Sequence, residues 1–397
     1  MIRATVSSFN PELFIWARSS AGLTLPEAAD ALNIKVGTLE SVEAGQQPPS
    51  RPLLLRMSKT YRRSLLIFYL PIPPALGDRG HDFRTVAVDR SSNADADVDA
   101  LVRDLKVRQS LVKSILEDDE DSGPIQFVGS ARMALGIESV SSSIQETIGF
   151  NRSAFRKQRN AESAFGLLRK KVEDAGVFVL LIGNLGSHHS SIPIEAFRGF
   201  AIADPIAPFI VINDQDAKTA WSFTLLHELA HLWLGATGVS GARYEQQIEQ
   251  FCNAVAADIL LPASEIKGLK IADLNADDQI AVISRQAGEW NVSRQMLTYG
   301  LYKNGNISQE DWQYLDGKLR EMWIAERKRD KEIQKTKGSK PTYYVVRRHR
   351  LGSAILAFAA RSLDAGTLSP SKAAMVLGVS PRGVFPLLKP SAASEIA

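Results

Sequence analysis

The chain has 397 residues, of which 45% are hydrophobic and 23% charged. That composition fills roughly two or three domain cores and excludes a disordered chain. A formal net charge of +3 excludes nucleic-acid binding driven by bulk charge, so any DNA contact has to come from a local patch.

The single cysteine, Cys252, excludes an internal disulfide framework and fits a reducing compartment. It reads as a small apolar residue rather than a nucleophile. The first residues show no charged segment leading into an apolar core, and no apolar run reaches the length of about eighteen residues that a membrane span needs. The expected location is therefore the cytoplasm, without a membrane partner.

Residues 11–70, within an expected first domain of residues 1–75, read as consecutive short helices. The first covers Glu12 to Ser20 and the second Pro26 to Leu32, after the cap Thr24 and with Glu27 in the capping-box position. The third runs from Val36 to Ala44 and ends at Gly45. Two short helices joined by a tight turn and buttressed by a third make a helix-turn-helix. The stretch Leu23 to Ile34, L-T-L-P-E-A-A-D-A-L-N-I, resembles its XRE, phage-repressor-like version. The resemblance implies DNA binding through the third helix. That helix offers Lys35, Thr38 and Ser41 but also Glu40 and Glu43, which is poor chemistry for reading base edges. Arg18, Arg51, Arg56, Lys59, Arg62 and Arg63 are candidates for phosphates instead. The other reading of the module is a protein-binding or dimerising one.

Pro71-Ile72-Pro73-Pro74 closes the module, because prolines this dense forbid helix. Residues 76–124 are expected to be a helical connector, with Asp95 to Glu117 as a polar amphipathic helix and a surface turn after it. His81 has no ligand partner at metal spacing and reads as structural.

Residues 125–265 read as an α+β domain. Ala161 to Ala175 has helical apolar spacing, Gly176 closes it, and Val177 to Ile182 is a fully apolar strand. Ala196 to Ala203 and Pro208 to Asn213 then form a hairpin pair, with Phe209 to Ile212 as the expected edge for an extended peptide. The stretch that follows decides the function. His227-Glu228-Leu229-Ala230-His231 spells H-E-x-x-H inside the apolar run Trp221 to Leu234, with Asp214 and Asp216 as expected N-cap oxygens and Gly235 as the stop. Residues four apart share a helix face, so both imidazoles can reach one metal ion, while Glu228 emerges to the side, placed for a proton rather than for the metal. The next helix, Glu245 to Leu261, ends at Pro262 and supplies Glu249 as a third ligand and Asn253 as a partner for a ligand imidazole. Tyr244, His188 and His189 are candidate donors to a polarised carbonyl. Two imidazoles and a carboxylate suit Zn2+ best.

The combination of HELAHLWLG with IEQFCNAVAADILLP resembles the ImmA/IrrE family of bacterial metallopeptidases. Residue by residue, the resemblance implies zinc on His227, His231 and Glu249 with Glu228 as general base. It also implies a fused repressor-like module, and cleavage of a repressor or antitoxin protein in stress, phage or mobile-element control. The family pattern departs at Phe251-Cys252, where many members carry Glu-Ala. Members also act as non-proteolytic regulators, so the alternative is an antitoxin or transcription regulator that neutralises a cognate toxin through a structural zinc site. A homodimer is compatible with either.

Residues 266–325 return to helices and read as a buttress for the peptidase. Residues 326–342 read as an exposed helix running into a flexible linker. Residues 343–397 make a small helical module, again in helix-turn-helix style, with a basic patch at Arg347, Arg348, His349 and Arg350 that suits nucleic acid or an acidic partner.

Overall fold

A computed structural model of the protein describes residues 9–74, 92–120, 122–186, 190–235, 242–336 and 342–389. They gather into two compact units, residues 1–105 with 184–197 and residues 106–183 with 198–397. Among the described residues no helix is long and apolar enough to cross a membrane.

The first unit opens with four short helices, α1 (Pro11–Ser19), α2 (Leu25–Ala31), α3 (Val36–Glu43) and α4 (Arg51–Thr60), followed by a 3-10 turn at Leu65–Tyr69; α5 spans Ser92–Glu117. Side chains start three of them: Asn10, Thr24 and Ser50 accept from the amides of Glu12, Glu27 and Leu53. Thr24 and Glu27 form the complete capping box. Asn33, at φ 53°, makes the left-handed turn from α2 to α3, a conformation that asparagine tolerates better than most residues. Phe14, Leu32, Leu39, Met57 and Phe68 fill the core between these helices.

In the second unit, α6 (Ile137–Ile148), α7 (Arg152–Arg156) and α8 (Ala161–Asp174) precede a three-stranded sheet of β1 (Phe178–Leu181), β2 (Gly199–Ile202) and β3 (Phe209–Ile212). β2 and β3 form the expected antiparallel pair, but β1 adds in parallel on the other side of β3. The order is β1-β3-β2, so Phe209 to Ile212 is the central strand and not a peptide-accepting edge. All four of its residues are buried, as a strand covered on both faces requires.

α9 (Lys218–Leu234) packs against β2 and β3, and α10 (Ala242–Leu260) follows it. Leu225, Leu229 and Trp233 of α9 share one core with Ile144 of α6, Leu168 of α8 and Val255 and Ile259 of α10. Asp214 and Asp216 do not cap α9 as expected. Ala217 holds the cap position without a side-chain bond; Asp216 accepts from the Ala217 amide, and Asp214 pairs with Arg350 at 2.5 Å. Here the tail's arginine takes the acid that the sequence offered to the helix.

The C-terminal stop is as expected. Gly235 adopts φ 55°, and a Cβ there would stand 2.5 Å from the Cα of Gly129. The Gly129 and Ala131 amides bond to the carbonyls of Leu232 and Trp233 at 2.9 and 2.8 Å, while Phe127 stacks on Trp233 at 4.0 Å. Gly235→Ala is therefore expected to cost about 2 kcal/mol or more, since left-handed strain adds to a backbone clash. Urea denaturation checks it, and an unchanged midpoint refutes it.

The remaining helices are α11 (Ala263–Ile266), α12 (Ala276–Trp290), α13 (Arg294–Lys303), α14 (Gln309–Thr336), α15 (Tyr343–Leu351), α16 (Ser353–Asp364), α17 (Pro370–Leu377) and α18 (Val384–Leu388). Leu297, Leu301, Leu315 and Leu319 enter the same core as α9, which makes α13 and α14 its buttress. α14 runs as one helix to Thr336, well into the segment that read as an exposed helix leading to a linker. The tail does not stand apart either, because Phe358 of α16 meets Phe178 of β1 edge-on at 6.0 Å. Its arginines are largely spent inside the fold. Arg347 bonds the carbonyls of Leu377 and Gly378, Arg348 those of Pro386 and Leu387, closing the ends of α17 and α18.

Candidate metal centre

α9 carries no Gly or Pro between Lys218 and Leu234, so its hydrogen-bond ladder holds His227 and His231 one turn apart on one face. α10 is pinned from its end. Arg152 donates to the carbonyls of Ile259 and Asp258 at 2.8 and 3.4 Å, and Arg156 donates to Leu260 at 3.2 Å while pairing with Glu265.

Three side chains meet between them. The Nε2 atoms of His227 and His231 lie 3.1 Å apart, and the Glu249 oxygens stand 3.3 Å from the first and 3.2 Å from the second. All three donor atoms fall within 4.8 Å of one another. His231 is 2% exposed and His227 8%, whereas the Glu249 side chain is 24% exposed, so solvent reaches the centre from the α10 side. Burial alone would raise the Glu249 carboxyl, but hydrogen bonds from both imidazoles outweigh it and hold the group down at about 2. Electron-rich nitrogens and an anionic oxygen this close repel unless a cation or protons lie between them. The donor set, two imidazoles and a carboxylate, fits a zinc-type divalent ion.

Metal affinity should fall on acidification. Glu249 stays ionised far below neutrality, so the proton competes at the two imidazoles, whose ordinary pKa is about 6.5. Below that range the affinity is expected to drop by up to about a hundredfold per pH unit, one proton at each ligand. Competition with a chromophoric chelator between pH 5 and 8 measures it, and a flat profile would sink the three-ligand assignment.

Glu228 is 5% exposed and sits beside the triad without joining it. Asn253 does not take the role that the sequence offered. It is exposed and hydrogen-bonds neither imidazole; the neighbour that does approach His231 is the buried thiol of Cys252, pushed up by its burial. Glu249 is followed by residues at both three and four positions along α10, and only packing decides which faces inward. His188, His189 and the side chain of Tyr244 lie outside the described residues, as does His81. Sequence reasoning missed Gly199 of β2, whose backbone runs against Glu228 and Thr224. A glycine inside an otherwise aromatic and aliphatic strand was the available signal.

The DNA candidates of the first unit scatter. Arg18 is not free for phosphate, because it forms a two-point ion pair with Glu43 at 2.7 and 2.9 Å and donates to the Leu23 carbonyl. Arg63 lies over the Trp16 ring at 4.3 Å. Lys35 and Arg51 are exposed, and Thr38 and Ser41 are half-buried on α3, with the Ser41 hydroxyl donating back to Gly37.

No curated protein and no solved structure matches the chain. A family model does match part of it: residues 184–302, which include the converging side chains of α9 and α10 and Glu228, match the IrrE N-terminal-like domain of peptidase family M78, a family that is typically metal-dependent.

Proposed function

We propose that the protein is a zinc-dependent endopeptidase fused to an XRE-like helix-turn-helix module, and that it cleaves a specific repressor or antitoxin protein to control transcription. The convergence of His227, His231 and Glu249 around one point, with Glu228 beside it on α9, carries this reading. When bound, zinc supplies Lewis acidity for a peptide carbonyl and for water. The chain's own groups do the rest. Glu228 accepts a proton from the attacking water at its carboxylate and passes it to the leaving amine. Glu249 balances the cation's charge, and the buried imidazoles keep the donor geometry fixed. β2, an outer strand of the sheet lying against α9, suits an extended peptide better than the central β3.

In the first unit, the exposed Lys35 and Arg51 support phosphate contacts, with Thr38 and Ser41 on α3, which Lys35 precedes as its N-cap residue. Base reading stays weak, because Glu40 is exposed there and Glu43 holds Arg18. Such a module serves to bring the peptidase to DNA-bound protein.

The test is co-expression with the products of adjacent genes, followed by mass spectrometry of the pool. A discrete fragment that disappears on chelation with 1,10-phenanthroline and returns with added Zn2+ supports the proposal. Full regulatory activity without a fragment moves the reading to a non-proteolytic regulator.

A further inference from the structure

β2 opens with Gly199 and continues Phe200-Ala201-Ile202. Glycine weakens a strand and persists where something must come close. Its backbone does not demand glycine, since Gly199 is not among the residues of positive φ. Its surroundings do. A Cβ at this position would stand 2.5 Å from Thr224 Cγ2, 2.9 Å from Glu228 Oε1 and 3.1 Å from Glu228 Cγ. Thr224 and Glu228 are one turn apart on α9 and so present to the same point of the strand.

We infer that Gly199 is a positioning residue for Glu228: the missing side chain leaves the space that the carboxylate occupies beside the metal ligands. The inference rests on the endopeptidase reading of this centre. The two contacts differ in kind. The Thr224 methyl belongs to a 7% exposed residue on a packed helix and yields poorly, so its clash is a matter of folding. The Glu228 carboxylate ends a flexible side chain and yields easily, so its clash is a matter of placement. Moving Oε1 from 2.9 Å to the 3.4 Å of ordinary contact shifts the base by about 0.5 Å, the tolerance within which catalytic groups have to be held.

Thr224→Ser removes the methyl and separates the effects. The full-length chain is loaded with Co2+ and titrated with acetohydroxamate, a metal-binding probe that also hydrogen-bonds a carboxylate in the position of a general base. Binding is read from the visible absorption of Co2+. Gly199→Ala with Thr224→Ser should match Thr224→Ser alone in Co2+ affinity and Tm, yet bind acetohydroxamate about tenfold more weakly, as one charged hydrogen bond is worth. Glu228→Gln should show a loss of the same order. If the double variant binds the probe as tightly as its parent while Glu228→Gln loses affinity, the inference fails and the endopeptidase reading stands. A loss of Co2+ affinity or Tm alongside the probe makes Gly199 a packing residue and also overturns the inference. If Glu228→Gln binds the probe like wild type, Glu228 is not at the metal and both readings fall.

Discussion

Glu228→Gln is expected to lower peptide cleavage by about a thousandfold, the worth of a positioned general base, while metal content stays at the wild-type level. The amide is isosteric with the carboxylate but cannot take a proton from water. It is also no loss to the ion, because the converging donors are His227, His231 and Glu249. Nor should the fold suffer. Glu228 is 5% exposed, so neutralising it relieves a desolvation cost rather than adding one. The measurement is kcat/KM on the cleaved partner, with metal per chain and Tm on the same samples. Glu249→Gln is the contrast, losing metal and activity together, since it removes the anionic ligand. Near-wild-type cleavage by Glu228→Gln would show that the proton goes elsewhere.

The contrast works because local geometry brings His227, His231 and Glu249 together, which is why that convergence was legible in the sequence. The spacing of His227 and His231 needs only an uninterrupted helix, and Gly235 marks where that helix stops. What stayed hidden depends on partners distant in sequence. β3 is the most apolar strand, and such a run is the mark of a covered strand. The linear reading nevertheless left it at the edge, because nothing local says that β1 returns in parallel to its far side. The arginines tell the same story. Arg18, Arg347 and Arg348 look like cations for nucleic acid until Glu43 and the ends of α17 and α18 are seen to hold them. Asn253, one turn beyond Glu249, reads as a partner for a ligand imidazole, yet it is exposed, and the buried Cys252 lies near His231 instead.

The tail gives the second large effect. Arg169 and Glu173 of α8 are each 7% exposed and paired at 3.0 Å. Arg169 also donates to the carbonyls of Val179 in β1 and of His349 and Arg350 at the end of α15. Glu173 accepts from the amides of Ser353 and Ala354 and from the Ser353 hydroxyl, capping α16 across the fold, because that helix starts at Gly352 with no side-chain cap of its own. Gly352, at φ 81°, leaves room for the pair: a Cβ there would meet both Glu173 and Arg169. Arg169→Leu strands a buried carboxylate and several carbonyls at once, and is expected to cost about 3–5 kcal/mol. Glu173→Gln keeps an acceptor at α16 and should cost less, about 1–3 kcal/mol. Chemical denaturation measures both. Limited trypsin digestion locates the damage, which should appear as release of the segment beyond α14 before α9 opens, because the lost bonds tie α15 to α8 and leave the Glu173 cap of α16 without its charge partner. An Arg169→Leu protein within about 1 kcal/mol of wild type, the worth of a single ordinary hydrogen bond, would mean that the tail is held by its apolar contacts alone. In that case the buried pair serves register rather than stability.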